Sequence, residues 1–155
     1  MSRIRPLAFH PLHSAHLPEL TDLWVASWNK AMPSIDFETR RIWLCEHLEE
    51  QRAKGAQTLC AFAWNGDMAG FVLIDPATRY LDQFVIAPNL WGRSIGHELM
   101  ARAKEISPGG IRLDVNQDNP RAVTFYEKCG FTIHSEGVNP NSGLKTFALE
   151  WKPGT

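Results

Sequence analysis

Apolar residues recur along this chain at two spacings, which predict the order of its helices and strands. From about Ser14 to Lys30, leucine and tryptophan recur at intervals that place them on one face of a helix, and a second helical pattern starts near Asp36. A turn centred on Gly66 then separates two strand-like runs, as is typical of a short β-hairpin. The first half therefore predicts two helices followed by antiparallel strands.

The second half of the chain alternates between strand and helix signals. A helix that follows the turn at 91–96 is broken at Pro108 by the two glycines after it, and a polar loop at 137–143 joins the last two strands. The expected strands are 3–9, 58–64, 68–74, 80–86, 111–116, 131–136 and 144–150, and the expected helices are 14–30, one from 36, one after 96 and one after 119. The predicted order is β-α-α-β-β-β-α-β-α-β-β.

Length and charge narrow the class of protein. With 155 residues, 44 % of them hydrophobic, the chain is expected to form a single domain over 1–155 that buries roughly two thirds of its unfolded surface. A formal charge of -1 gives no electrostatic reason to expect nucleic acid or an anionic membrane as partner. Any basic site must therefore be local, and self-association into a homodimer is left open.

Cysteine and histidine spacing predicts neither a disulfide framework nor a metal site. The chain has 3 cysteines and no paired spacing, so a reducing cytoplasm is the expected location, and no segment is apolar for long enough to span a bilayer. His10, His13 and His16 recur at a metal-like interval, but Pro11 prevents a helix through the first of them. Cys129 is interpreted as a small apolar residue rather than a nucleophile.

The segment from Asn119 to Phe131 carries the most information. Asn119 is a good N-cap, Pro120 suits the first helical position, and Gly130 can end the helix in a left-handed conformation. The helix so defined presents the phenol of Tyr126 at a fixed distance from its polar N-terminus. Taken together with the turn Trp91, Gly92, Arg93, Ser94, Ile95 and Gly96, this segment resembles the two signature segments of the GNAT acyltransferase superfamily, which uses acetyl-CoA to acylate amines.

The resemblance implies an α+β fold of the three-layer α/β kind, with a mixed, mostly antiparallel, twisted sheet of about seven strands flanked by four helices. It also implies an N-acetyltransferase with acetyl-CoA as co-substrate and no metal, acting by direct attack of the amine in a ternary complex. The cofactor-contacting positions that it implies are Phe84, Val85, Ile86, Trp91, Gly92, Arg93, Ser94, Ile95, Gly96, His97, Asn119, Ala122, Phe125 and Tyr126.

The turn after the third strand of the meander suits a diphosphate, because a helix N-terminus offers free amides and the positive end of its dipole. Gly92 and Gly96 permit close backbone approach, and Arg93 adds a compensating charge. Relatives have glycine where Ser94 stands and Gln or Arg where Trp91 stands. Because Ser94 would resist a positive φ, a weakened or reshaped cradle is expected.

Acyl transfer to an amine needs one group that accepts a proton and one that donates a proton to the departing sulfur. Tyr126 falls at the acid position of the family. Period-two alternation puts Asp114 among polar neighbours near the end of its strand, and Asp82 on the neighbouring strand is its rival for the role of base. Each aspartate is equally well explained as an ion-pair partner of Arg112 or Arg79, and an acceptor that arrives neutral would need no base.

Other residues have a structural and a functional interpretation. His47, Glu46, Glu49 and Glu50 are expected on the solvated face of the second helix. Four apolar residues fall where relatives line the acceptor pocket, although core packing explains most of them: Trp24, Trp28, Met32 and Trp43. The loop from His134 to Gly143 either rims that pocket or only connects strands. The acceptor stays open among a small amine, an amino acid, a peptide terminus, a lysine side chain and an antibiotic.

Two rival classes of function remain. A non-catalytic acyl-CoA-binding or sensing module would keep the fold and lose turnover, which the replacements at Ser94 and Trp91 would permit and which Tyr126 disfavours. An unrelated nucleotide-binding α/β domain is disfavoured because the chain lacks a Gly-Lys-Ser/Thr phosphate loop and its expected strands are antiparallel before the glycine turn.

Overall fold

A computed structural model describes residues 7–154, which form seven strands and four α-helices. The strands are β1 (Ala8–Pro11), β2 (Gln57–Phe62), β3 (Met68–Asp75), β4 (Tyr80–Ile86), β5 (Ile111–Asn116), β6 (Thr132–Val138) and β7 (Lys145–Trp151). The helices are α1 (Leu17–Ala31), α2 (Arg41–Ala53), α3 (Ile95–Ile106) and α4 (Pro120–Lys128), and short 3-10 turns lie at Ser14–His16, Glu38–Arg40 and Pro88–Leu90. The predicted order of elements is confirmed.

All seven strands join in one mixed sheet, ordered β1-β2-β3-β4-β5-β7-β6. Every neighbouring pair is antiparallel except β4 and β5, which run parallel and are in register at one pair only, Tyr80 with Arg112. That pair lies at the amino ends of both strands, so β4 and β5 diverge toward their carboxyl ends. The sheet therefore contains an opening at its centre.

Two apolar clusters cover the two faces of the sheet. One contains Leu20, Leu44, Leu48 and Phe71 and packs α1 and α2 against the sheet. The other contains Leu99 and the apolar residues of α3, α4 and β5. Helices α1 and α2 thus form one layer, and helices α3 and α4 form the other, on the opposite face of the sheet. The predicted three-layer mixed fold is confirmed. Within residues 7–154, each helix is too short or too polar to cross a bilayer.

Element bounds differ from the sequence-based ones mainly at the amino end. Residues 3–6 of the expected first strand lie outside the described residues, and the strand runs on to Pro11, which pairs with Leu59. The expectation that the strand ends before Pro11 was wrong because β1 is an edge strand, where a residue without an amide hydrogen is tolerated. The first helix begins with a 3-10 turn, in which His13 Nδ1 accepts a hydrogen bond from the Ala15 amide.

A β-bulge interrupts the pairing of β3 with β4. Leu73 pairs with Gln83 and Ile74 pairs with Leu81, which leaves Asp82 as the extra residue. Leu81 packs in the cluster of α3 and α4, whereas Gln83 accepts a hydrogen bond from Trp24 of α1. The bulge thus turns two successive side chains, Asp82 and Gln83, toward the layer of α1 and α2.

Candidate active site

A cavity of about 1180 Å³ lies at the opening between β4 and β5. On the side of α3 and α4 it is lined by the turn at 91–94, by Gly96 and His97, and by α4. On the other side it is lined by Trp28, Trp43 and His47 and by the loop at 137–141. Because its walls come from both helical layers, the cavity traverses the sheet where the two strands separate.

The turn before α3 reaches its shape through Gly92. Gly92 has a φ of 82°, whereas Ser94 has helical angles, with φ at -74° and ψ at -1°. Ser94 therefore needs no positive φ, since the left-handed residue, Gly92, is two positions earlier. Arg93 and Ser94 are exposed and lead directly into α3, so the free amides of the first helical turn lie beside the cavity.

Gly96 has a packing role that the sequence did not reveal. A Cβ at this position would lie 2.9 Å from Cε1 and 3.1 Å from Cζ of Phe125. Gly96 therefore lets α3 and α4 approach closely, with the Phe125 ring against the helix backbone.

We expect Gly96→Ala to lower the free energy of unfolding by about 1–3 kcal/mol, because the added methyl group overlaps the Phe125 ring. Denaturant titration measures the loss. The double variant with Phe125→Leu provides the control, since a smaller, flexible side chain relieves the overlap. An unchanged transition in the single variant, or no relief in the double variant, would contradict this packing role.

Trp91 connects the turn to β4. Its indole Nε1 donates a hydrogen bond to the Ile86 carbonyl at 2.9 Å. The guanidinium carbon of Arg121 lies 3.8 Å from the centroid of its ring, and the Lys30 ammonium lies 4.5 Å from that centroid. Burial lowers the pKa of Arg121. Two cations thus stand beside a turn that already offers free amides, which favours an anionic ligand there.

Tyr126 lies in the wall of the cavity, against other aromatic rings. The centroids of Phe125, Phe131 and Phe84 are 5.5, 5.7 and 6.2 Å from its own. Burial, and after it the neighbouring Cys129, raise the pKa of its phenol far above the ordinary value. The side chain is 9 % exposed, and its hydroxyl makes no hydrogen bond within residues 7–154. Every polar side-chain atom in that range that is fully shielded from solvent has a hydrogen-bond partner. The unpartnered hydroxyl of Tyr126 is therefore accessible to solvent, on a residue that lines the cavity.

Helix α4 begins and ends as the sequence predicted. The Asn119 side chain accepts a hydrogen bond from the Ala122 amide at 3.4 Å, Pro120 occupies the first turn, and Gly130 has a φ of 95°. Asn119 and Ala122 also line the cavity. The cap therefore fixes where the helix starts and, with it, the distance from the helix N-terminus to Tyr126.

The two aspartates have other partners than the predicted arginines. Asp114 accepts a hydrogen bond from the Tyr80 hydroxyl at 2.9 Å, and burial with this carboxylate beside it raises the pKa of Tyr80. Asp82 lies 2.8 Å from His47 Nε2. Within residues 7–154 neither aspartate pairs with Arg112 or Arg79, so the alternative of a plain ion-pair partner is not supported.

Both arginines instead bind main-chain carbonyls. Arg112 donates to the Thr78 carbonyl and lies over the Tyr80 ring, and Arg79 donates to the Gly109 carbonyl. Asp82 and Asp114 both line the cavity, on the two strands that diverge.

His47 was missed by the sequence analysis, which placed it on a solvated helix face. Glu46, Glu49 and Glu50 are exposed as expected, but His47 is half-buried, stacks on Trp43 at 4.6 Å and contacts Asp82. The available signal was the four-residue spacing from Trp43, which puts both rings on one helix face. The bulge that brings Asp82 within reach left no recognisable signal in the sequence.

The remaining candidates divide between core and cavity. Trp24 and Met32 are buried in the apolar cluster, whereas Trp28, Trp43 and residues 137–141 line the cavity. Among residues 7–154, no three His, Cys, Asp or Glu side chains come together as a group that could hold a metal ion.

Cys129 has a histidine neighbour that the sequence did not indicate. Its sulfur lies 3.7 Å from His97 Nδ1, and Lys104 donates a hydrogen bond to its carbonyl. Burial nevertheless raises the pKa of the thiol to about 11, so the group stays protonated at neutral pH. A buried neutral thiol is consistent with its interpretation as a small apolar residue.

Comparison with known proteins identifies the class. Residues 17–131 match the model of the acetyltransferase (GNAT) family, and this chain belongs to that family. It is an acetyl-CoA-dependent N-acetyltransferase, as its sequence segments predicted.

Two named proteins are similar to this chain in sequence. The chain is 28 % identical over 139 residues to the peptidyl-lysine N-acetyltransferase YiaC of Escherichia coli K12, covering 88 % of this chain and 91 % of the relative. It is 36 % identical over 64 residues to the peptidyl-lysine N-acetyltransferase YjaB of Salmonella typhimurium, covering 41 % and 42 % of the two chains.

Two solved structures show the same fold. Apo YjaB from Escherichia coli superposes with a TM-score of 0.75 at 21 % identity, covering 97 % of this chain and all of the other. The PaiA N-acetyltransferase of Thermoplasma acidophilum, solved with coenzyme A, has a TM-score of 0.76 at 20 % identity and covers 96 % and 99 % of the two chains.

Proposed function

We propose that the protein transfers the acetyl group of acetyl-CoA to the side-chain amine of a lysine in a peptide or protein, by direct attack within a ternary complex. The observation that carries this proposal is the cavity through the sheet. One half has the glycine turn, two cations and the Tyr126 phenol, and the other half is open and lined by Trp43, His47 and two aspartates. Two reactants can thus enter from opposite faces and meet at the separated strands.

The half of the cavity beside α3 and α4 suits the co-substrate. The amides of residues 93–97 at the start of α3, with Arg93 and Arg121, would bind the diphosphate, and the main chain of residues 84–86 would pair with the pantetheine arm. Acetyl-CoA supplies an acyl group activated as a thioester. Tyr126, neutral and open to the cavity, donates its proton to the departing sulfur.

The opposite half suits a cationic amine on a long apolar stem. The carboxylates of Asp114 and Asp82, one on each side of the opening, both contribute to raising the pKa of Tyr80. Negative charge is therefore concentrated in the half of the cavity where the amine must arrive. The indole of Trp43 is 46 % exposed and offers apolar surface to the four methylenes of lysine. The names of two relatives, peptidyl-lysine N-acetyltransferases, support the same class of acceptor.

An acceptor panel tests this proposal. Lysine-containing peptides, free lysine, a peptide with only its terminal amine, spermidine and an aminoglycoside are offered with acetyl-CoA, while released CoA thiol is measured and products are identified by mass spectrometry. We expect the highest kcat/KM for the internal lysine. Faster acetylation of a small amine would reassign the acceptor, and no thiol release from any amine would leave only an acyl-CoA-binding module.

Acetyl-CoA is also expected to raise the melting temperature, whereas ATP and NAD at equal concentration are not. A ligand present at about 100 times its dissociation constant adds about 2.7 kcal/mol to the free energy of unfolding. Thermal denaturation followed by circular dichroism measures the shift. Equal shifts from all three ligands would contradict a site specific for acyl-CoA.

A further inference from the structure

The imidazole of His47 is held in one orientation by two neighbours. Its ring stacks on Trp43, one helical turn earlier, with an angle of 13° between the ring planes. Its Nε2 lies 2.8 Å from Asp82 Oδ1, and the two side chains are only 18 % and 19 % exposed. A pair this shielded is coupled more strongly than one on the open surface. The stacking and the short contact together fix where the other ring nitrogen lies.

The bulge in β4 is what brings the carboxylate to the imidazole. In a regular strand, Asp82 would face away from the side chain of Gln83. As the extra residue, it shares the face of Gln83, whose Nε2 donates to Asp82 Oδ1 at 3.2 Å and whose Oε1 accepts from Trp24. Asp82 is thus held by His47 of α2 directly and by Gln83, which Trp24 of α1 holds in turn.

Asp82 also determines which nitrogen of His47 carries the proton. A carboxylate only accepts hydrogen bonds, so the contact requires a hydrogen on Nε2 and leaves a lone pair on Nδ1 of the neutral ring. Nδ1 makes no hydrogen bond to residues 7–154. Among these residues, every polar side-chain atom that is fully shielded from solvent does have a hydrogen-bond partner. Nδ1 is therefore open to solvent, on a residue that lines the cavity.

We propose that His47 is the base that removes the proton of the acceptor amine, and that Asp82 is the positioning residue that keeps its Nδ1 available. This inference rests on the proposed acetyl transfer to lysine. On this proposal neither aspartate is itself the base. Asp82 acts through His47, and Asp114 attracts the cationic amine without taking its proton.

The two proton carriers lie on opposite faces of the sheet, as the reaction requires. His47 belongs to the layer of α1 and α2, and Tyr126 packs in the cluster of α3 and α4. The ammonium of the acceptor gives one proton to His47, and its neutral nitrogen attacks the thioester carbonyl, forming a C–N bond. The C–S bond then breaks and the sulfur takes the proton of Tyr126. The second nitrogen proton returns through solvent to Tyr126, and His47 releases its own proton to solvent.

Among the charged groups near His47, Asp82 is the one in direct contact with its imidazole. Besides β4, the elements with the most extensive packing against α2 are α1, β2 and the turn at 38–40. The titratable side chains of these elements have partners elsewhere or are buried: Glu19, Asp22, Lys30, Glu38, Arg40 and Cys60. Among the titratable groups that line the cavity, those on the two diverging strands are Asp82 and Tyr80 on β4 and Asp114 on β5.

The test measures kcat/KM for a lysine peptide against pH in the wild type, His47→Gln and Asp82→Asn. At pH 7 we expect His47→Gln to lose about 100-fold, the contribution of a positioned base, and the loss to shrink as pH rises and the free amine becomes abundant. Asp82→Asn is expected to lose less, with a shifted pH profile. His10→Gln, on the exposed edge strand β1, is the matched control and should retain the wild-type profile.

Two further measurements separate a proton transfer from a structural role. A peptide with an aminooxy group in place of the lysine amine is neutral at pH 7, so His47→Gln should lose far less with it. Imidazole added to His47→Ala should restore turnover with lysine in proportion to its concentration.

Each outcome decides the proposal. Equal losses for lysine and aminooxy peptides, no rescue by imidazole, or a wild-type profile in His47→Gln would overturn the role of His47 while leaving acetyl transfer intact. If the wild type acetylates no peptide lysine, the proposed function fails first. Acetyl-CoA-dependent thermal shifts in each variant confirm that the fold and the other half of the cavity are preserved.

Discussion

Tyr126→Phe is expected to lower kcat by a factor of about 10² to 10⁴, while the dissociation constant for acetyl-CoA changes by less than about threefold. Tyr126 lines the cavity, and its hydroxyl makes no hydrogen bond to residues 7–154 that its removal would break. The ring keeps its contacts with Phe84, Phe125 and Phe131. Steady-state kinetics and isothermal titration with acetyl-CoA measure the two quantities separately.

The matched control is Tyr80→Phe, the same change at the chain's other tyrosine. That hydroxyl donates to Asp114 instead of facing the cavity unpartnered, so the expected loss in kcat is much smaller. Equal losses in the two variants would remove Tyr126 from the role of acid. Because burial keeps the Tyr126 phenol neutral, its ionisation should produce no fall in rate until the pH is well above the ordinary tyrosine range.

Gly70→Ala is expected to have the largest effect on stability, about 3 kcal/mol or more. A Cβ on Gly70 would lie 2.5 Å from the Val85 carbonyl oxygen and 2.8 Å from Cδ1 of Ile86. The first of these atoms is backbone, so the overlap can be relieved only by moving β4 away from β3. Chemical denaturation measures the loss of stability, and the affinity for acetyl-CoA should fall with it, because residues 84–86 line the cavity.

Gly109→Ala provides the control for this variant. Its added Cβ would meet nothing closer than 3.9 Å, from a flexible arginine side chain. We expect its free energy of unfolding to stay within about 0.5 kcal/mol of the wild type. Should Gly70→Ala unfold at the same denaturant concentration as Gly109→Ala, the close approach of β3 and β4 at this point would be refuted.

The order of elements and the family could be predicted because their signals are local. Asn119, Pro120 and Gly130 mark the two ends of α4 through their own backbone preferences, and the turn at Gly66 does the same for the hairpin. The assignments of Tyr126 as acid and of the turn residues as cofactor contacts stay predictions. The structure brings Tyr126 and these residues to one cavity, except Ile95, whose side chain is buried in the core.

What the sequence could not predict depends on contacts between distant segments. Asp82 meets His47 across 35 positions of the chain because a bulge adds one residue to β4, and period-two reasoning assumes that no residue is added. Gly96 was expected to permit close backbone approach to a ligand, and the packing of the Phe125 ring where its Cβ would lie could not be read from the sequence. The sequence also could not show that Gly92, rather than the residue at position 94, takes the left-handed conformation of the turn.

The single register pair between β4 and β5 has a mechanical consequence. Four strands lie on one side of this seam and three on the other, and within residues 7–154 Tyr80 with Arg112 is the only register pair between β4 and β5. Such a sheet is compliant at its middle and stiff on either flank. A molecule bound along the seam would bridge the two blocks of the sheet and stiffen it. The free enzyme and the ligand-bound enzyme should therefore differ in rigidity more than in shape.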